Sequence, residues 1–207
     1  MSQILSKLSF ILAILLVSNV NAKIISYDKV PSGTYKLDKT HASIVWQVSH
    51  LGLSDYTARF SNFDATIKFD VKDPKSSIVE AEIDSFSIKT EYPYPEQKDF
   101  DKKLQGGSWF DSKKFPKIIF KSKRIELIND KNGVMVGNLT FLGVTKEVKL
   151  DIVFNGAMTK QPFTKKPTMG FKATATIKRS DWGMKTYIPK IGDEVKIVFD
   201  GEFGMED

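Results

Sequence analysis

The sequence predicts an all-β protein of about eight antiparallel strands, and three observations predict it. Apolar and polar residues alternate with a period of two through most of the chain, as in Phe63, Ala65, Ile67, Phe69 and Val71 against Asp64, Thr66, Lys68 and Asp70. Turn-forming residues punctuate these runs at Asp73-Pro74, Asp130-Lys-Asn-Gly133, Gly143-Val-Thr145 and Asn155-Gly156. Each strand then carries one apolar and one wet face, and the apolar faces are covered only if the sheet closes into a barrel or stacks as a sandwich. Length does not choose between the two.

Taken in order, the chain opens with Lys7 and an apolar run from Leu8 to Val17, about half the roughly 20 residues a membrane helix needs. Val20 and Ala22 follow at the small-residue positions a signal peptidase reads, so 1–22 is expected to be a secretory signal cleaved after Ala22. Cleavage removes Lys7 and no acid, lowering the formal net charge of +6 by one. The folded domain is expected over 33–205, with no membrane span once the signal is gone.

The first strand is expected near 34–49, with Ile44, Trp46 and Val48 on one face, and the second near 57–72. A third, near 77–89, sets Val79, Ala81 and Ile83 against Glu80, Glu82 and Asp84. The stretch 90–116 interrupts the pattern. Phe100 and Leu104 lie four apart there, as on a short amphipathic helix that presses two apolar side chains onto the sheet or across a barrel mouth. Strands resume near 117–128 and 134–142. Three more follow: 146–159 with Val148, Leu150, Ile152 and Phe154; 168–180 with Phe171, Ala173, Ala175 and Ile177; and 194–205 with Val195, Ile197, Phe199 and Phe203.

The chemistry-bearing residues point away from catalysis. The chain has no cysteine, which excludes disulfides, thiolate metal sites, cysteine nucleophiles and lipid-modified cysteine. No Gly-x-Ser-x-Gly elbow, phosphate-binding loop or dinucleotide fingerprint occurs. The carboxylate pairs Glu80/Glu82 and Asp99/Asp101 read as solvated faces. His41 and His50, the two histidines, read as hydrogen-bonding structural residues, and neither a metal nor a cofactor is expected. Arg179 with Asp181 reads as an ion pair pinning a bend ahead of Trp182-Gly183. Basic residues are dispersed, which argues against nucleic acid. Fifteen phenylalanines in one modest domain are the outstanding feature. An eight-stranded barrel either fills its interior or holds one small apolar ligand, and large residues alternating with Ala65, Ala81, Ala173 and Ala175 suit both outcomes.

The segment Tyr35-Lys-Leu-Asp38-Lys-Thr-His41-Ala-Ser-Ile-Val-Trp46-Gln-Val-Ser-His50-Leu-Gly52 resembles the opening strand of the YceI-like proteins, with Asp-x-x-His, alternating apolar residues and then His-x-Gly. The resemblance continues through Phe110-Asp111 to Phe115-Pro116, Gly137 to Thr145, Gly170-Phe171-x-Ala173, Arg179-Ser-Asp181-Trp182-Gly183 and Gly192-Asp193-Glu194-Val195. It departs at Ala58-Arg59-Phe60, where the family often has Gly-x-Phe, and at Lys102 to Asp111, where His-Leu and an Arg-Asp pair are common.

The resemblance implies a lipocalin-like antiparallel barrel, periplasmic in bacteria, that binds a polyisoprenoid, an isoprenoid quinone tail or a related long-chain lipid for transport, storage or sequestration, without catalysis. A homodimer is consistent with it. The inward residues expected to line such a site are Ile44, Trp46, Val48, Phe60, Phe63, Ile67, Phe69, Ile83, Phe141, Phe171 and Ile177, with Phe100, Leu104 and Trp109 near a mouth. Arg59 is the candidate for a head-group contact. The alternatives are an enzyme on an isoprenoid or lipid substrate and a solid barrel acting through its outer surface.

Overall fold

The computed structural model describes residues 24–206; the expected signal segment 1–22 lies outside the described residues. The strands are β1 (Gly33–His50), β2 (Ser54–Phe60), β3 (Phe63–Phe69), β4 (Ile78–Asp84), β5 (Ile88–Lys89), β6 (Lys117–Leu127), β7 (Asn132–Phe141), β8 (Val144–Met158), β9 (Thr168–Lys178) and β10 (Ile191–Met205), with one short helix, α1 (Phe100–Leu104). Every pairing is antiparallel, and β10 returns to pair with β1 from Tyr35↔Met205 to His50↔Ile191, which closes the sheet. Ten segments make an eight-stranded barrel because two strands are interrupted. β2 and β3 pair successive stretches of β1, and β5 continues β4 beyond a 3-10 turn at Ser85–Ser87. Among the described residues, no helix is long and apolar enough to cross a membrane.

The long strand β1 bends because three extra residues bulge out between Leu37↔Phe203 and Ala42↔Gly201. Asp38 organises the bulge: its Oδ1 accepts from the Thr40 amide (2.9 Å) and hydroxyl (2.6 Å), and its Oδ2 sits 2.8 Å from His41 Nδ1. His41 thus hydrogen-bonds within the bulge, and the Asp-x-x-His spacing is the spacing of this strand bulge.

At the hairpin between β7 and β8, Phe141 faces Val144 across two residues, Leu142 (φ 48°) and Gly143 (φ 74°). Left-handed conformation at both centres is what a tight right-twisted hairpin requires, and it sets the turn one residue earlier than Gly143-Val-Thr145 suggests. Asn155-Gly156 is not a turn at all. It is a bulge within β8, between Phe154↔Phe171 and Gly156↔Gly170, with Gly156 at φ 144°. The kink presents Ala157 to the N-terminal segment, where Ile25 and Ala157 exchange hydrogen bonds of 2.9 and 3.0 Å.

The antiparallel order assigns each connection to one end of the barrel. One end, called here the helical end, carries the β1–β2 turn, residues 90–116 with α1, the β7–β8 turn and residues 179–190. The opposite end carries residues 25–32, the β3–β4 connection, the β6–β7 turn and residues 159–167. The wet outer face is laced by cross-strand pairs such as Lys117–Glu82 (2.8 Å), Lys121–Glu80 (3.1 Å) and Lys123–Glu147 (2.7 Å), each contributing about 0.2–1 kcal/mol. Many of the dispersed lysines are thereby accounted for.

Candidate functional site

Alternation aims a column of apolar side chains inward from every strand, and the barrel does not fill with them. They surround a cavity of about 730 Å³, within the range of small-molecule sites. Its wall includes Ile44, Trp46 and Val48 of β1, Ile67 and Phe69 of β3, Val79, Ala81 and Ile83 of β4, Leu150, Ile152 and Phe154 of β8, Phe171, Ala173, Ala175 and Ile177 of β9, and Val195, Ile197 and Phe199 of β10. Part of the interior is solid. A Cβ at Gly137 would lie 2.4 Å from the Phe120 ring, so that ring packs down over bare backbone. Several wall residues, among them Phe171, Ala175, Ile177, Ile197 and Phe199, are only half-buried although they point inward. The surface they expose belongs to the cavity.

The opposite end is narrowed by Tyr27, which packs edge-on against Phe69 and Phe154 at 6.5 and 5.8 Å between ring centres. Behind it Tyr35 is fully buried, and burial pushes its hydroxyl up to about 12 while it donates to Pro31 O at 2.7 Å. The cavity also reaches the β6–β7 turn at Asn129, Asp130, Lys131 and Asn132.

The helical end is built more elaborately. Asp99 caps α1 by accepting from the Lys102 amide (2.9 Å), and Asp101 Oδ1 accepts from the Thr90 amide (2.8 Å) and hydroxyl (2.6 Å), tying the helix to the end of β5. Leu104 is buried, and Phe100 packs against Tyr56 and Tyr92 at 5.7 and 5.6 Å. Phe110, in the loop beyond the helix, lies 5.6–6.2 Å from Trp46, Phe60 and Phe141. Trp46 Nε1 is buried without an acceptor among the described residues.

Of the wall residues expected from the sequence, Ile44, Trp46, Val48, Phe60, Ile67, Phe69, Ile83, Phe100, Leu104, Trp109, Phe141, Phe171 and Ile177 surround one cavity. Phe63 points inward but is buried in the packed core, clear of the wall. Arg59 faces the other way. It follows Ala58 and precedes Phe60 on β2, so alternation carries its guanidinium outside, 2.8 Å from Glu91 Oε1, and away from any head group in the cavity.

Arg179 corrects a second expectation. It makes no ion pair with Asp181, whose nearest cation is Lys146 at 3.8 Å. Its buried guanidinium donates to four backbone carbonyls: Gly192 (2.7 Å), Ile191 (2.9 Å), Thr186 (2.9 Å) and Met184 (3.1 Å). Burial holds its pKa below the usual arginine value. The adjacent Ser180 donates through both amide (2.9 Å) and hydroxyl (2.7 Å) to Asp193. Arg179 thus fixes the 179–192 loop over the helical end, and the bend is pinned by carbonyls.

Sequence reasoning missed the polar rim of the cavity, including Tyr56, Tyr92, Lys98, Lys103, Tyr187 and Lys190. Spacing around Phe100 and Leu104 signalled the helix but not which of its lysines face the barrel.

A model of the YceI-like domain matches residues 35–203. A protein of Pseudomonas putida described as UPF0312 is 32% identical over 164 residues, covering 78% of this chain and 82% of that one. Among solved structures, the YceI protein of Campylobacter jejuni is 28% identical, covering 77% of this chain and 90% of that one with a TM-score of 0.67. A polyisoprenoid-binding domain from Saccharophagus degradans shares the fold at a TM-score of 0.59, with 13% identity over 83% of this chain and 98% of that one.

Proposed function

The chain belongs to the YceI-like family, and from that premise we propose that it is an exported, periplasmic protein that holds the long apolar chain of a polyisoprenoid, an isoprenoid quinone tail or a related lipid inside its barrel, as a carrier or store and not as an enzyme. The observation that carries the proposal is the cavity of about 730 Å³ walled by aliphatic and aromatic side chains. The likeness of its fold to a domain described as polyisoprenoid-binding supports it.

The energetics are sufficient. Micromolar affinity corresponds to about 8.2 kcal/mol, and association costs at least about 4 kcal/mol in lost freedom. At about 0.8 kcal/mol per buried CH₂, roughly fifteen buried carbons meet both without any ionic contact. Apolar burial carries little directional information, so the wall selects for a flexible chain and the rim for what the chain bears.

The test is a chain-length series. Geraniol, farnesol and geranylgeraniol are titrated into delipidated protein against a displaceable apolar fluorophore. Affinity is expected to rise steeply with each added isoprene unit until the cavity is full. Equal, weak binding of all three contradicts the reading.

A further inference from the structure

Charge is distributed unevenly along the cavity, and the imbalance bears on what the bound chain carries at its end. At the opposite end the lining holds one acid and one base, Asp130 and Lys131, which offset each other. At the helical end the charged side chains on the lining are Lys98, Lys103, Lys190 and the buried Arg179, and no carboxylate joins them. Arg179 is committed to four backbone carbonyls. The three lysines have no carboxylate partner among the described residues.

Lys98 precedes α1 and Lys103 lies within it, and both are on the cavity lining. Desolvation, and then the neighbouring Lys103 ammonium, hold Lys98 below the usual lysine range. Lys98 Nζ lies 4.7 Å above the Phe100 ring, itself part of the wall. Two of the acids near them in sequence are engaged elsewhere. Asp99 caps the helix, while Asp101 accepts from Thr90 and lies 3.6 Å from Lys89. Two ammonium groups on the rim of one apolar cavity repel each other, and an anion between them removes that repulsion while its tail occupies the barrel.

We propose that the ligand is an amphiphile with an anionic head, a phosphate or a carboxylate, seated tail-inward with its head between Lys98 and Lys103 at the helical end and Lys190 facing it from the 179–190 loop. This rests on the cavity reading above and adds polarity and direction to it. The site is the role for which Arg59 was the sequence candidate, supplied by different residues.

The experiment compares matched pairs at low ionic strength, where exposed charges are least screened. Geranylgeranyl monophosphate is set against geranylgeraniol, palmitate against hexadecanol, and inorganic phosphate alone serves as the tail-free probe, each with wild type and with the double variant K98Q/K103Q. These lysines are exposed and outside the core, so the variant is expected to fold, which its melting temperature checks. The expected result is that wild type binds at least one anionic member about three- to tenfold more tightly than its alcohol. The gap closes in K98Q/K103Q because affinity for the anion falls by more than affinity for the alcohol, and which pair shows it separates phosphate from carboxylate. Equal affinity within both pairs, or a gap that survives K98Q/K103Q, overturns the head-group site and leaves the tail cavity standing. Inorganic phosphate binding as tightly as the amphiphile overturns it in favour of a free-anion site. Failure of every amphiphile to bind overturns the cavity reading and this inference together.

Discussion

Replacing Ala175 by phenylalanine separates an open barrel from a solid one. Ala175 sits on β9 opposite Ile197 of β10, both on the cavity wall and both half-buried despite pointing inward. A phenyl ring at this position enters empty space. In a packed core the same change costs about 1–3 kcal/mol, which at about 2–4 °C per kcal/mol for a domain of this size is a fall of roughly 2–12 °C in melting temperature. Entering the cavity, it is expected to move the melting temperature by less than about 2 °C. The ring instead displaces about six ligand carbons, worth up to about 5 kcal/mol at 0.8 kcal/mol per CH₂. A chain that slides along the tunnel recovers part of this, so uptake of geranylgeraniol is expected to weaken by at least about tenfold. Thermal denaturation and fluorophore displacement on one preparation give both numbers, with the outward neighbour Thr176→Phe as the control that leaves uptake intact. A melting temperature lowered by more than about 4 °C with unchanged uptake refutes the argument.

Arg179→Met orphans several buried carbonyl acceptors at once and is expected to cost about 3–5 kcal/mol, lowering the melting temperature by about 6–20 °C, with Arg179→Lys recovering part; a fall under about 3 °C contradicts its role in fixing the loop. The Asp38 contact, first by hydrogen bond and then by charge, raises the His41 pKa, while Thr40 first and His41 next lower that of Asp38. The His41 contribution is present below the unfolded histidine value near 6.5 and lost as pH rises through its folded value; that of Asp38 is present above about 3.9 and lost as pH falls through its folded value. Wild type should therefore exceed His41→Gln in melting temperature most between about pH 4 and 6.5, and proton NMR should show the His41 midpoint fall on Asp38→Asn. Trp46→Phe removes a buried indole N–H that has no acceptor among the described residues, so its melting temperature should fall by less than a typical buried tryptophan truncation of about 3–5 kcal/mol implies.

The barrel was legible wherever alternation was clean. On β9, Phe171, Ala173, Ala175 and Ile177 all reach the cavity wall as the period of two requires. Alternation also held the answer for Arg59: its neighbour Phe60 is expected on the wall, and giving Arg59 a contact with a head group in the same cavity breaks the period of two. Asn155-Gly156 misled because a glycine at positive φ serves a bulge as readily as a turn, and the N-terminal segment that exploits the bulge is distant in sequence. Arg179 was misread because its partners are backbone carbonyls, which leave no trace in side-chain identity. The size of the cavity was not legible, since interdigitating and gaping interiors use the same mixture of large and small residues. The bulge at 38–41 shows the converse: a short polar motif whose spacing looks like chemistry also organises the bend of one strand through its own hydrogen bonds.

The central claim, that the barrel holds a long apolar chain, is tested most directly by native mass spectrometry of protein purified from its own host without added lipid or denaturing steps. A discrete adduct is expected, lost on extraction into organic solvent and regained when the emptied protein is mixed with a prenyl lipid. A ligand-free mass in repeated preparations, with no uptake of added geranylgeraniol, contradicts it.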